Sequence, residues 1–280
     1  MASNEAVEFK LWPYTPSLAG GVIAVIVFAL LSIAHIIRLI KSRTWFCIPF
    51  VVGAIFETIG YIGRTAAHSD TTSIGPYVCQ SLLILLAPIL FAASVYMILS
   101  RIVRRCGAES YSLIRPQWVT RIFVAGDVLC FLMQSSGGGL LANAKKQSDV
   151  DLGEHVILGG LILQIFIFGF FVVVAGVFHS RLRQKPTVEA ADPGLPWERY
   201  MILLYTASGC ITVRNVCRVV EYGLGRDGYL LTHEWCLYLY DFLLMAITLS
   251  ICLMWYDRNV QPQKRDSYEM AHVDSQKDSV

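Results

Sequence analysis

Charged side chains are scarce in this chain of 280 residues. Asp, Glu, Lys and Arg make up only 16% of it, whereas hydrophobic residues make up 55%, and the mean hydropathy is +0.54. A soluble domain of this length has no reason to be so apolar, because its surface must be polar. The composition therefore excludes an ordinary soluble domain and predicts an all-α, polytopic membrane protein.

Several functional motifs are also missing. No G-x-x-x-x-G-K-[ST] phosphate loop occurs and no soluble domain of useful size is present, so ATP hydrolysis by the chain is not expected. The eight cysteines form no C-x-x-C pair, and no two histidines stand three or four residues apart. The sequence therefore predicts no metal site and no cofactor. A disulfide among Cys79, Cys217 and Cys236 stays open as an alternative.

Seven apolar segments are long enough to span a bilayer, which takes about 20 helical residues. They divide the chain into a short N-terminus (1–17), without the features of a removable signal peptide, a seven-helix transmembrane domain (18–256) and a disordered tail (257–280). The predicted spans are Leu18–Ile40, Trp45–Ala66, Tyr77–Ser100, Trp118–Ala142, Val156–His179, Arg199–Val220 and His233–Tyr256.

The basic residues outside the spans are unevenly distributed. Fourteen Lys and Arg lie in the first, third and fifth connections and the tail, against four on the opposite side. Because positive residues collect in cytoplasmic loops, this bias predicts an N-terminus outside the cell and a C-terminus in the cytoplasm.

Three predicted spans carry ionisable side chains at i, i+4 and i+7, a spacing that places each set on one helix face. The sixth span has Arg214, Arg218 and Glu221, with Asn215 beside them. A charge facing lipid at the bilayer centre costs about 2.5 kcal/mol or more, so these faces need partners on other helices. The other two sets are Glu57, Tyr61 and Arg64 in the second span, and Glu234, Tyr238 and Asp241 in the seventh.

Further polar features lie in the third and fourth spans. The third has Gln80 and a mid-span Pro88, which frees a carbonyl and is expected to kink the helix. The fourth has Asp127 and Gln134 on one face, followed by three glycines over 137–139 that are expected to break the helix. His35, in the first span, is interpreted as a core residue.

The predicted orientation places the ionisable residues of the second, sixth and seventh spans together in the outer half of the membrane, where three arginines face four carboxylates. One interpretation is structural ion pairing. The interpretation that we favour is a polar cavity that opens outward and binds substrate. Its candidate binding and translocation residues are Glu57, Tyr61, Arg64, Gln80, Asp127, Gln134, Arg214, Asn215, Arg218, Glu221, Glu234, Tyr238 and Asp241.

Five sequence blocks resemble the fungal lipid-translocating exporter family, the RTA-like group named for aminocholesterol resistance. They are E-T-I-G-Y-I-G-R from Glu57, Q-S-L-L-I-L-L-A-P from Gln80, D-V-L-C-F-L-M-Q-S-S-G-G-G from Asp127, R-N-V-C-R-V-V-E-Y from Arg214 and E-W-C-L-Y-L-Y-D from Glu234. The resemblance implies seven spans, a plasma-membrane location, translocation of lipids or sphingoid bases, and resistance to toxic amphiphiles. Some relatives are linked instead to porphyrin transport.

The first functional hypothesis is therefore export of an amphiphile, with membrane lipids and a small amphiphilic substrate as partners and no nucleic acid. The carboxylate excess would attract an ammonium headgroup, and Glu57 or Asp241 is the candidate proton carrier. A seven-helix receptor or sensor is the alternative, although no span carries the lysine of a retinal protein and the last has no N-P-x-x-Y. An enzyme is not expected, because no metal or nucleophile constellation is present.

Overall fold

The structure is a computed structural model that describes residues 16–69, 74–142, 144, 146–192, 195–224 and 228–256. The predicted disordered tail (257–280) and all of the predicted N-terminal segment except Pro16 and Ser17 lie outside these residues. All regular elements within the described ranges are helical, and no strand occurs among them. The predicted all-α class is confirmed.

Six long helices precede a composite final one. They are α1 (Leu18–Ser42), α2 (Ile48–Ala67), α3 (Ile74–Arg105), α4 (Pro116–Ala142), α5 (Gln147–Gln184) and α6 (Trp197–Gly223). A short α7 (Tyr229–Thr232) leads into α8 (Glu234–Leu237), a π-helical segment (Tyr238–Leu243), α9 (Leu244–Cys252) and a 3₁₀ turn (Leu253–Trp255). The part from Glu234 to Trp255 forms one helical rod, here called the last rod.

Six of the helices in the described part of the chain are long and apolar enough to cross a membrane: α1 to α5 and the last rod. The chain is thus a multi-pass helical membrane protein. The helix α6 is not among the six, because Arg214 and Asn215 interrupt its apolar sequence. Its 27 residues nevertheless extend about 40 Å at about 1.5 Å per residue, which exceeds the thickness of the hydrocarbon core.

Consecutive long helices pack against each other, and α3 lies at the centre, in contact with α2, α4 and α6. Glycines permit the closest approach between α2 and α3. A Cβ atom on Gly53 would lie 3.1 Å from the carbonyl oxygen of Ala87, and one on Gly63 would lie 3.1 Å from that of Pro76. These glycines therefore let the backbones of α2 and α3 approach closely, as small residues do in membrane helix interfaces.

The three glycines over 137–139 do not break α4, which continues to Ala142. The predicted break is wrong because α5 packs against the bare backbone at this point. A Cβ atom on Gly137 would lie 2.8 Å from the carbonyl oxygen of Gly153, whereas one on Gly138 or Gly139 would meet nothing within 4 Å. Tight helix packing thus offsets the low helix propensity of glycine.

His35 of α1 is a core residue, as predicted. Its side chain is fully buried. The Nδ1 atom lies 2.8 Å from the hydroxyl oxygen of Tyr256, and Nε2 lies 3.0 Å from the carbonyl oxygen of Leu249. This residue joins α1 to the end of the last rod.

Candidate functional site

The polar faces of α2, α6 and the last rod meet inside the bundle. Glu57, Tyr61 and Arg64 of α2 are all buried, as the spacing predicts. Arg214 and Glu221 of α6 are buried as well. Their partners lie across the helix interfaces and form two networks joined through α2.

The inner network centres on Asp241 of the last rod, which is fully buried. One carboxylate oxygen lies 2.8 Å from Nε of Arg214, as an ion pair outside hydrogen-bond geometry. The other oxygen accepts a hydrogen bond from Arg218. Arg218 also donates to Glu221, one turn along the same helix, at 3.0 Å. Two arginines one turn apart would repel each other, so the carboxylate shared between them is what permits both to point into the bundle.

Pro88 supplies a further acceptor for Arg214. Proline has no amide hydrogen, so the carbonyl four residues earlier in α3 loses its helical partner. That carbonyl belongs to Ile84, and it accepts a hydrogen bond from Nη2 of Arg214 at 3.1 Å. The freed carbonyl that the sequence predicts is present and is used to bind the buried guanidinium, although α3 itself continues through Pro88.

The outer network centres on Arg64 of α2. It donates to Glu234 at 2.7 Å, to the hydroxyl of Tyr238 at 3.3 Å and to Oε1 of Gln80 at 3.4 Å. Glu234 also accepts the backbone N–H of Ser17, with its two oxygens 2.8 and 3.0 Å away. The outer network therefore connects the start of α1 to α2, α3 and the last rod.

The π-helical segment determines which helix each acidic residue of the last rod contacts. Residues seven apart lie on one face of a regular α-helix. In this rod, however, Glu234 contacts α2 whereas Asp241 contacts α6. The wider turns of the segment over Tyr238–Leu243 lie between the two residues. π-helical turns are rare, and they occur frequently at functional sites.

Glu57 lies beside the inner network and differs from the other acidic residues. It is fully buried, and neither of its oxygens has a hydrogen-bond partner among the described residues. Arg214, Asp241 and Arg218 are near enough to interact with it electrostatically. Tyr61, one turn further along α2, has a hydroxyl without a hydrogen-bond partner in the described structure, and its ring stacks on Tyr238 at 6.4 Å between centroids.

Exposure differs from residue to residue within the cluster. Side-chain exposure is 1% for Arg214 and 0% for Asp241, but 15% for Arg218 and 19% for Glu234. The polar cluster is thus enclosed around Glu57 and partly open at Arg218 and Glu234.

Three predicted site residues lie apart from these networks or make no contact in them. Asp127 of α4 accepts a hydrogen bond from Tyr96 of α3 at 2.8 Å. Gln134 donates to Gln164 of α5 at 2.9 Å. Asn215 is buried, and its Oδ1 has no hydrogen-bond partner among the described residues. The first two residues join α3, α4 and α5 through hydrogen bonds across the helix interfaces, away from the ion pairs.

Some groups that contact the charged residues of the spans were not identified from the sequence. Tyr240 lies beneath the guanidinium of Arg218, with 5.7 Å between Cζ and the ring centroid. Tyr96 is the partner of Asp127. Tyrosine is counted among the hydrophobic residues of a sequence, so neither Tyr240 nor Tyr96 was recognised as a polar residue of a span. The only sequence feature that could have indicated them is a tyrosine close to a charged residue within a span. The carbonyl of Ile84 had a stronger signal, because it stands four residues before Pro88.

The described cysteines, including Cys79, Cys217 and Cys236, are free thiols, so the alternative of a disulfide among these three is not realised. No group of three or more His, Cys, Asp or Glu side chains in the described part of the chain is arranged to hold a metal ion. The ionisable groups of the site form ion pairs instead, with one further carboxyl, that of Glu57, outside them.

Comparison with known proteins places these helices in a family. The model of a family described as RTA1 like protein matches residues 50–264. Protein RTA1 of Saccharomyces cerevisiae is 31% identical over 88% of this chain and 84% of its own length. Protoporphyrin uptake protein 1 of the same yeast is 30% identical, over 87% and 91%.

A third relative from that yeast, Sphingoid long-chain base transporter RSB1, is 25% identical over 83% of this chain and 69% of its own length. No solved structure matches. The family match covers α3, α6, the last rod and nearly all of α2, which supply the ionisable side chains of both networks, and the relatives named for an activity are named for uptake or transport. This chain belongs to the RTA1-like family of fungal membrane proteins.

Proposed function

We propose that this protein is a plasma-membrane transporter that moves an amphiphile with a cationic headgroup, such as a sphingoid base or a sterol-like amine, across the bilayer. The unpartnered carboxyl of Glu57 inside the ion-pair cluster carries this proposal. The headgroup binds at Glu57, and the surrounding networks are the polar surface along which it moves. Resistance to toxic amphiphiles follows when transport is directed out of the cell.

The proposal includes seven spans, with the N-terminus outside and the C-terminus in the cytoplasm. Helix α6 completes the seven, because its charged residues are paired inside the bundle rather than exposed to lipid. The ends of α1, α3 and α5 carry the basic residues of the first, third and fifth connections, and this supports a cytoplasmic location for that end of the bundle. The polar cluster then lies in the outer half.

The charge balance of the cluster supports a cationic ligand. Each of the three arginines has an acidic partner: Glu234 for Arg64, Asp241 for Arg214, and Glu221 together with Asp241 for Arg218. Glu57 is the fourth carboxyl and has no ion pair among the described residues. A buried polar group that lacks a partner costs free energy, and an ammonium group can supply the missing hydrogen bonds.

Apolar side chains for the hydrocarbon part of such a ligand lie one turn of α2 away from the carboxyl, around the ring of Tyr61. Phe28 of α1 stacks on Tyr61 with 5.5 Å between ring centroids, and Phe242 of the last rod meets the same ring edge-on at 6.2 Å. A ligand whose ammonium contacts Glu57 therefore has aromatic side chains on the side of α1. An amphiphile needs this combination of an acidic group and an apolar wall.

The similarity to a sphingoid-base transporter supports a long-chain amine, whereas the similarity to a protoporphyrin uptake protein favours a porphyrin as the second candidate. The two ligands differ in charge, because protoporphyrin carries carboxylates. All three arginines of the cluster are already paired, and the group without a partner is acidic. This arrangement favours the amine.

The test is reconstitution of the purified protein in liposomes that contain a fluorescent sphingoid base. Wild-type protein is expected to increase the rate of movement between leaflets above that of empty liposomes, and Glu57→Gln is expected to remove the increase. Asp151→Asn is the matched control, since Asp151 is an exposed carboxylate of α5, and it should retain the full rate. Binding without movement would assign the protein to the receptor class, and a full rate in Glu57→Gln would contradict the role of this residue.

A further inference from the structure

A cavity lies at the opposite end of the bundle from the outer network. Its volume is about 470 Å³, within the range of about 300–1,000 Å³ that ligand pockets occupy. It is formed by the end of α1, the start of α6 and the end of the last rod. The lining residues are Arg38, Pro196, Arg199, Tyr200, Leu253, Met254 and Tyr256.

Two arginines give this cavity its charge. Arg38 and Arg199 are both exposed, and neither guanidinium is in an ion pair with a described residue. The described lining contains no acidic side chain. This is unlike the outer half of the bundle, where the charge balance is acidic and every arginine of the cluster is paired. A cavity with two arginines and no acid favours an anionic ligand.

The backbone adds to this preference. Helix α6 begins at Trp197, beside the cavity, and no side chain caps its N-terminus, although the N–H of Trp197 donates to Leu195 and Glu198 lies in the first turn. The N-terminus of a helix carries partial positive charge and free N–H groups. Together with two guanidinium groups, which bind phosphate oxygens in pairs of parallel hydrogen bonds, it provides donors suited to a phosphate group.

The position of the cavity indicates a lipid rather than a soluble compound as the carrier of the phosphate. The neighbouring face of α1 is apolar and exposed, with exposure of 54% for Ile33 and 47% for Ile37. Met254, on the rim, is 46% exposed. A headgroup in the cavity therefore has apolar surface next to it for its acyl chains. Basic pockets between spans at the cytoplasmic side are sites of this kind in other membrane proteins.

We propose that this cavity binds the phosphate-bearing headgroup of an anionic lipid of the cytoplasmic leaflet, through Arg38, Arg199 and the start of α6. The site is separate from the ion-pair cluster and does not depend on what the protein transports. A lipid held there joins α1 to α6 and the last rod. The bilayer composition thereby acts on the helices that carry the cluster at their other ends.

The experiment uses the purified full chain in detergent and native mass spectrometry with short-chain lipids. The probes are dioctanoyl phosphatidylinositol 4-phosphate and, as a zwitterionic control, dioctanoyl phosphatidylcholine. Wild-type protein is expected to retain the anionic lipid preferentially. The double variant R38Q/R199Q is expected to bind the anionic lipid with an affinity at least roughly tenfold lower, because charge-assisted hydrogen bonds to phosphate are lost.

A matched double variant, R104Q/R183Q, controls for net charge. Arg104 and Arg183 are exposed residues in the last turns of α3 and α5, at the same end of the bundle but outside the cavity lining. This variant should bind the anionic lipid as wild type does. Equal loss in both variants, or no preference for the anionic lipid in wild type, would overturn the site. Full displacement of the lipid by millimolar inorganic phosphate would show that the cavity binds free phosphate and would contradict the proposal of a lipid ligand.

Discussion

Two buried acids of the polar cluster, Asp241 and Glu57, should respond very differently to loss of charge. Asp241 contacts two arginines, and Asn at this position leaves both guanidinium groups without their shared counter-charge. Breaking a buried ion pair typically costs about 3–5 kcal/mol. At about 2–4 °C per kcal/mol, the expected decrease in melting temperature is roughly 6–20 °C. Glu57 makes no hydrogen bond with a described residue, so Glu57→Gln should cost about 1 kcal/mol or less.

The assay is thermal denaturation of each purified variant in detergent, followed by loss of the monodisperse peak in size-exclusion chromatography. Asp151→Asn, at an exposed carboxylate of α5, is the control for loss of one acidic charge. The expected order of melting temperatures has wild type, Asp151→Asn and Glu57→Gln close together and Asp241→Asn well below them. Equal destabilisation by Glu57→Gln and Asp241→Asn would show that Glu57 is a structural residue and would refute its assignment to the ligand.

Three further outcomes follow from the packing. Gly137→Ala should lower the melting temperature, because the added Cβ atom would lie 2.8 Å from a backbone carbonyl of α5, whereas Gly138→Ala, which meets nothing within 4 Å, should not lower it. Tyr256→Phe removes a 2.8 Å hydrogen bond to the buried imidazole of α1 and should cost about 1–3 kcal/mol in chemical denaturation; an unchanged midpoint would contradict that contact. The third outcome concerns access from outside and is measured in a background without the partly exposed native cysteines. During transport, Tyr61→Cys should react with an impermeant thiol reagent faster than Ile23→Cys, whose side chain faces lipid. Equal rates would contradict an outward-opening cavity.

Much of the bundle could be predicted because hydropathy and helical spacing can be read from short stretches of the sequence. A charge that faces lipid is costly, so Arg214, Arg218 and Glu221 had to share a buried face, and the same reasoning applied to Glu57 and Arg64. The structure brings these residues together through α2, α6 and the last rod. The carbonyl freed by Pro88 was predictable for the same reason, since the effect of proline is confined to one turn.

The remaining features depend on contacts between distant parts of the chain. The helix continues through the three glycines over 137–139, and α5 packs against the first of them, Gly137. The π-helical segment places Glu234 and Asp241 against different helices, although their spacing predicts one shared face. The bond from the N–H of Ser17 to Glu234 spans 217 residues. No local pattern encodes these tertiary contacts.

The most direct test of the central claim is an experimental structure of the protein in nanodiscs with a bound sphingoid base. The ammonium group is expected to lie within hydrogen-bond distance, about 2.7–3.2 Å, of the carboxyl of Glu57, between α2, α6 and the last rod. A headgroup bound elsewhere, with Glu57 still enclosed and unpartnered, would contradict binding at this carboxyl.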